Sequence, residues 1–189
     1  MIPVPTSSSL ADYLAADDVI ACQSTPIRDL ATELGSAEAA FTFVRDEIAH
    51  SRDAGTWSAA YRSTDVLAAR NAICHGKAHL LAALLRAQGV PAGLCYQKLR
   101  DDVPGGFVLH GLVGVCVDGK WSRIDARGNK PGVDAQFDLA RERIAFRADP
   151  DLGEVDYESV YATPPRSLLD ALGHARPGAT NYEYLPASL

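Results

Sequence analysis

Residues 66–91 read VLAARNAICHGKAHLLAALLRAQGVP, and this stretch decides the fold. From Lys77 to Gln88 nearly every residue is a strong helix former, and the leucine and alanine side chains leave almost no polar face. Gly89 can adopt the left-handed conformation that closes a helix, and Pro91 cannot continue one. The pattern therefore predicts a helix that is covered on all sides, at the centre of a domain.

Cys74 lies where this helix is predicted to begin. The first turn of a helix presents unpaired N–H groups and a partial positive charge, which favour the thiolate form that attacks carbonyl carbon. Cysteine is also among the most commonly buried residues, and most buried cysteines have no chemical role. Two interpretations follow, a nucleophile or a core residue.

The pattern changes from helix to strand after Pro91. Three stretches with alternating or β-branched residues predict strands near 92–99, 107–117 and 120–126. Before Pro91 the spacing favours helices instead, at 10–16, at 27–34 and from Ser36 onward. Helices followed by antiparallel strands indicate an α+β fold, with N-terminal helices and the cysteine-bearing helix packed on the sheet.

Asp118-Gly119 is a strong signal for a two-residue hairpin turn in which both φ angles are positive. If these are the turn residues, Val117 faces Lys120, and the register places His110 and Asp125 on the same side of the hairpin as diagonal neighbours. A carboxylate there can hydrogen-bond the imidazole. A purely structural His–Asp pair would show the same pattern, but burying such groups is costly unless they are paired.

A cysteine at a helix head, a histidine on a strand and an aspartate on the next strand supply a nucleophile, a base and an orienting group. These are the three parts of a thiol acyl-transfer site. The combination of Cys74, His110 and Asp125 therefore predicts a Cys-His-Asp triad.

The run from about Val66 to Asp125 resembles the core of the transglutaminase-like superfamily, within the papain-like group of cysteine enzymes. The resemblance rests on ICHGKA at 73–78, RAQGVPA at 86–92, the strand that His110 opens, and DGKWSRID at 118–125. The flanks at 13–50 and 127–162 also resemble small stand-alone bacterial members.

The resemblance implies a papain-like, transglutaminase-core fold in which Cys74 is the nucleophile, His110 the general base and acid, and Asp125 the residue that orients the imidazole. It implies acyl transfer or hydrolysis at an amide carbonyl, a peptide bond or a glutamine side chain, through a thioester. The alternative is an inactive member that serves as a peptide-binding or interaction module. Ile73, His75 and Gly111 depart from residues common in the family, so no particular substrate is implied.

A second oxyanion donor is expected upstream of the cysteine, beside the Cys74 N–H. In the resembling transglutaminases a tryptophan indole has this role, which here indicates Trp57, with His50, Tyr61 and Asn71 as competitors. His75 lies beside the sulfur and can tune its pKa, and Arg127 follows Asp125 directly and can line the cleft. His75, His79 and Cys74 are also spaced for a metal, but no metal or cofactor is predicted.

Chain length and net charge limit the number of domains and the kinds of partner that this protein can have. The 189 residues suit one domain at 1–189, with a helical part at 7–50, core motifs at 66–126 and an extension at 127–189. A net charge of −6 argues against nucleic acid as the partner. No signal peptide or membrane-length apolar run is visible, so a cytoplasmic protein with reduced cysteines and an amide substrate is expected, its oligomeric state left open.

Overall fold

The computed structural model describes residues 2–101, 106–174 and 185–189. Two short 3₁₀ turns lie at Leu10–Tyr13 and Pro150–Leu152. The α-helices in these ranges are α1 (Thr25–Leu34), α2 (Ala37–Glu47), α3 (Ser51–Ala54), α4 (Ser63–Ala69), α5 (Cys74–Ala87) and α6 (Arg166–Gly173).

The strands form one main sheet and two small pairs. The main sheet is antiparallel with the order β6-β5-β4-β7, while β1 pairs with β8 and β2 with β3 in parallel. The strands are β1 (Val4–Pro5), β2 (Ala49–His50), β3 (Asn71–Ala72), β4 (Ala92–Arg100), β5 (Phe107–Val117), β6 (Lys120–Ile124), β7 (Val155–Asp156) and β8 (Ser159–Val160). The fold is therefore α+β, as the sequence predicts.

Helix α5 is buried almost throughout, and α1, α2 and α4 pack around it on the side away from the sheet. Its end follows the predicted pattern, because Gly89 has φ +77° and the N–H of Val90 donates to Leu85 O at 2.9 Å. That bond and the one from the Gly89 N–H to Arg86 O pair two carbonyls of the last turn.

The β5–β6 hairpin has the predicted turn and register. Asp118 and Gly119 have φ of 51° and 74°, and Val117 pairs with Lys120. The ladder ends at the Val113–Ile124 pair, so Asp125 lies just beyond the strand rather than within it. The contact between His110 and Asp125 that this register predicts is present.

The two faces of the sheet are covered by different parts of the chain. Leu109, Val113 and Val115 belong to the same core cluster as the leucines of α5. Leu112 and Cys95 lie on the other face, in a smaller cluster with Tyr13 and Val160. Residues of the C-terminal extension thus cover the face that carries His110.

Several sequence predictions about local structure were wrong. The segment at 137–146 is expected to be a strand, but it has no regular structure, and 152–161, expected to be irregular, contains β7 and β8. The helix expected at 10–16 is only the 3₁₀ turn. At two of these places a distant segment holds the backbone, since β7 pairs with β4 and the Tyr13 hydroxyl donates to Val160 O at 3.0 Å.

Within the described ranges, every helix is too short or too polar to cross a lipid bilayer.

Candidate active site

Cys74 is the first residue of α5, with Ile73 as the N-cap. The N–H of a first helical residue has no acceptor within its own helix, so it is available to a ligand. The short pairing of β2 with β3 places His50 opposite Ala72, two residues before the cysteine. Gly111 has no side chain, and a Cβ there would lie 3.0 Å from His75 Cδ2, so the glycine lets the first turn of α5 rest directly on β5.

Histidine side chains surround the Cys74 thiol. His75 Nδ1 is 3.5 Å from Cys74 Sγ, and the imidazoles of His110 and His50 also lie close enough to shift the pKa of the thiol. Burial opposes ionisation, but the charges of His75 and His110 and the hydrogen bonds from His110 and His50 outweigh it and hold the pKa of Cys74 well below its ordinary value. The sulfur is therefore held as a thiolate at neutral pH.

His110 connects the thiol to a buried carboxylate. Its Nε2 is 2.8 Å from Asp125 Oδ2, which leaves Nδ1 as the ring nitrogen available to the sulfur. Burial alone would lower the pKa of His110, but the charges of Asp125 and Cys74 raise it to about 10. The imidazole is thus favoured in its charged form, as the partner of the thiolate.

Backbone groups fix the Asp125 carboxylate. Its Oδ1 accepts the N–H of Arg127 at 3.0 Å, and its Oδ2 accepts the N–H of Ala145 at 3.1 Å in addition to the His110 bond. Next to Ala145, the Phe146 ring packs edge-on against His110 with centroids 5.2 Å apart. The extension therefore completes the surroundings of the His110–Asp125 pair.

A cluster of charged side chains, Asp53, Arg127 and Lys130, lies outside the group formed by Cys74, His110 and Asp125. The Arg127 guanidinium forms two hydrogen bonds to Asp53 of α3, and Lys130 Nζ reaches Asp53 Oδ1 at 2.9 Å. Burial opposes ionisation of Asp53, but its bonds to Arg127 and Lys130 lower its pKa to about 2. Arg127, which the sequence analysis names as a residue that can line the cleft, ties α3 to the segment after Asp125.

The other predicted site residues are placed as follows. The Asn71 amide is engaged with Ser51 Oγ at 2.6 Å and with Thr56 O at 2.9 Å, so it supports the loop before α4. Trp57 is half-buried in that loop, and Tyr61, also half-buried, packs on the core. His75 is fully buried beneath β5.

The sequence analysis missed Lys77. This lysine is buried on α5, and its Nζ donates to Arg45 O at 3.2 Å and also to Ile48 O. Burial lowers its pKa to about 8. A lysine in an otherwise apolar helix signals a buried ammonium that holds nearby backbone in place, because such a group needs hydrogen-bond acceptors.

No group of three or more histidine, cysteine, aspartate or glutamate side chains among the described residues is arranged to hold a metal ion. His79, the second histidine in the proposed metal spacing, has its Nδ1 2.7 Å from Tyr61 O. Burial lowers the pKa of His79 to about 4, so it is neutral under ordinary conditions.

Cys74 and His110 are narrowly exposed, with only 8% and 3% of their surface accessible to solvent. Two surface depressions, one beside Asp17 and Arg166 and one beside Ile2 and Trp121, are not lined by Cys74, His110 or Asp125. Neither depression therefore leads to the thiol.

The family model of the transglutaminase-like superfamily matches residues 23–126, and the chain belongs to this superfamily. The match includes Cys74, His110 and Asp125 but ends before the extension. Comparison with curated proteins gives no match.

Solved structures share the fold at low identity. A candidate cysteine protease from Cytophaga hutchinsonii is 20% identical, with a TM-score of 0.52 over 64% of this chain and 43% of that chain. A TGase is 20% identical, with a TM-score of 0.41 over 61% of this chain and 35% of that one. The periplasmic domain of TgpA from Pseudomonas aeruginosa is 19% identical, with a TM-score of 0.41 over 60% and 45%. The chain spans less than half the length of each.

Proposed function

We propose that the protein is a cysteine-dependent enzyme that transfers or hydrolyses an acyl group at an amide carbonyl, with Cys74, His110 and Asp125 as its triad. One observation carries the proposal: the thiol at the head of α5 interacts with the imidazole of His110, which is itself bonded at 2.8 Å to a buried carboxylate. Membership of the superfamily supports a cysteine-dependent enzyme of this general kind.

The reaction proceeds in two stages. The Cys74 thiolate attacks the carbonyl carbon, and the new C–S bond moves the negative charge to the carbonyl oxygen. His110 then gives its proton to the departing amine, the C–N bond breaks, and a thioester remains. Water or a second amine attacks the thioester while His110 removes its proton, and the thiolate leaves.

The pKa shifts agree with these roles. With the pKa of Cys74 lowered and that of His110 raised, the resting pair is thiolate and imidazolium, so the nucleophile and the acid are both ready. Asp125 holds the His110 ring through Nε2 and keeps Nδ1 directed at the sulfur.

The alternative, an inactive peptide-binding or interaction module, is favoured by one observation. The narrow exposure of Cys74 and His110 restricts the approach of a substrate. The choice among peptide bond, glutamine side chain and other amides is also open at this stage. A single domain, a cytoplasmic location and independence of cofactors remain predictions.

Trapping the acyl-enzyme tests the proposal. The protein is incubated with a library of glutamine-containing peptides, quenched in acid and examined by mass spectrometry. We expect an adduct on Cys74 that neutral hydroxylamine removes, as it does a thioester, and none on Cys22, Cys95 or Cys116. A Cys74→Ala variant is the control. If folded protein gives no adduct on Cys74 with any peptide or with an activated ester, the inactive module is the better description.

A further inference from the structure

His50 is held beside the Cys74 thiol by contacts that do not involve the triad. Its strand pairs with β3 immediately before α5, and the Lys77 ammonium binds Ile48 O, two residues ahead of His50. The His50 side chain is only 10% exposed, and its imidazole lies close enough to Cys74 for each group to shift the pKa of the other. Backbone pairing and a buried lysine thus fix the distance between this imidazole and the sulfur.

The two ring nitrogens of His50 have different surroundings. Nδ1 is buried without a hydrogen-bond partner among the described residues, and Asp53 Oδ2, at 3.8 Å, is too distant to accept from it. The Cys74 thiolate can only accept a hydrogen bond, so the ring nitrogen that faces it must carry a proton. The favoured tautomer therefore carries its proton on Nε2, the nitrogen that remains for the sulfur.

His50 is also favoured as a neutral group. Burial lowers its pKa, although the thiolate of Cys74 opposes this. A neutral imidazole with its proton on Nε2 donates one hydrogen bond and does not compete with His110 to protonate the leaving amine.

We propose that the Nε2–H of His50 and the backbone N–H of Cys74 together bind the oxyanion that forms when Cys74 attacks its substrate. In the resting site the His50 N–H points to the thiolate. When the sulfur becomes covalently bonded it loses its charge, and the carbonyl oxygen, two bonds from the sulfur, acquires it, so the same N–H can bind the new anion. This assignment rests on the proposed function and deepens it.

The other candidate donors fit less well. The Asn71 amide is committed to Ser51 and Thr56, and His75 is fully buried beneath Gly111. Trp57, whose counterpart donates in the resembling transglutaminases, is the first rival to test, and Tyr61 is the second.

Two reagents separate oxyanion binding from thiol reactivity. Acylation by p-nitrophenyl acetate passes through an oxyanion, whereas alkylation by iodoacetamide displaces iodide and forms none. Both rates are measured on Cys74 at a pH where the thiol is fully ionised. For His50→Ala we expect acylation to fall on the order of a hundredfold while alkylation changes little. His50→Gln, which retains an N–H near the Nε2 position, should recover part of the loss.

Trp57→Phe tests the first rival donor, and His174→Ala, a substitution at an exposed histidine just after α6, is the matched control. Each variant is first checked for folding by circular dichroism. Acylation by His50→Ala at the wild-type rate, or an equal fall in both rates, overturns the assignment, and a hundredfold loss in Trp57→Phe alone transfers it to Trp57. Wild-type protein that alkylates like a free thiol and does not acylate refutes the proposed function itself.

Discussion

Two parts of helix α5 are equally buried but differ in composition. The first six residues, 74–79, bury Cys74, His75, Lys77 and His79, whereas 80–85 bury only leucine and alanine. The first part contains polar atoms without partners, His75 Nε2 and His79 Nε2, among the described residues. Unpaired buried polar groups cost about 1–3 kcal/mol each. The middle of the helix therefore contributes to stability, and the costly head agrees with the chemistry that we propose for Cys74.

The largest expected effect on stability lies in the middle of α5. Leu84 is fully buried in the main core, so Leu84→Ala should lower the free energy of unfolding by about 3 kcal/mol through lost burial and a cavity. Urea denaturation measures this change. The alkylation rate of Cys74 in the protein that remains folded should match wild type, and a slower rate would break the distinction between the two parts.

A smaller loss of stability is expected at the head. In Gly76→Ala the new Cβ would lie 2.8 Å from both Ala60 O and the Ala72 Cβ, so backbone must move. We expect a loss of about 1–3 kcal/mol in urea denaturation. Gly173→Ala, at the end of α6 in open space, is the matched control and should not destabilise the protein. Equal stabilities of the two variants would show that the packing at the head is looser than the structure implies.

Of the three substitutions, Lys77→Met should change the free energy of unfolding least, and the change should depend on pH. The pKa of Lys77 is about 8 in the folded protein because of burial, against about 10.4 for an ordinary lysine. Between these values the unfolded chain holds a proton that the folded chain has released, so wild-type stability gains as pH rises. Urea denaturation from pH 8 to 10 should show a gain on the order of 1 kcal/mol in wild type relative to Lys77→Met. If the stability of wild type and of Lys77→Met changed equally with pH, burial would not be lowering the pKa of Lys77.

The parts of the site that follow from local sequence were predictable. The apolar run ending in Gly89 predicts α5, and the turn at Asp118-Gly119 predicts a register that brings His110 to Asp125. Both depend on periodicity and turn chemistry, which act over a few residues.

The rest depends on contacts between distant segments. The segment at 137–146 is expected to be a strand, but it has no regular structure and contributes the Ala145 N–H and the Phe146 ring to the site. His50 reaches Cys74 through a two-residue parallel pairing between β2 and β3. Strands this short leave no periodic pattern, so their pairing could not be read from the sequence.

The central claim, that Cys74 is held as a reactive thiolate by His110, is tested most directly by the pH dependence of its alkylation. Iodoacetamide labelling of Cys74 is followed by mass spectrometry across pH in wild type and His110→Ala. Cys95, whose pKa burial raises to about 12, is the internal control and should stay unlabelled in folded protein.

The account predicts that wild-type Cys74 reacts with an apparent pKa well below the ordinary thiol value of about 8.5, and that His110→Ala moves the profile toward that value. At mildly acidic pH the variant should react roughly a hundredfold more slowly. A wild-type profile centred near the ordinary value and unchanged in the variant would contradict the account.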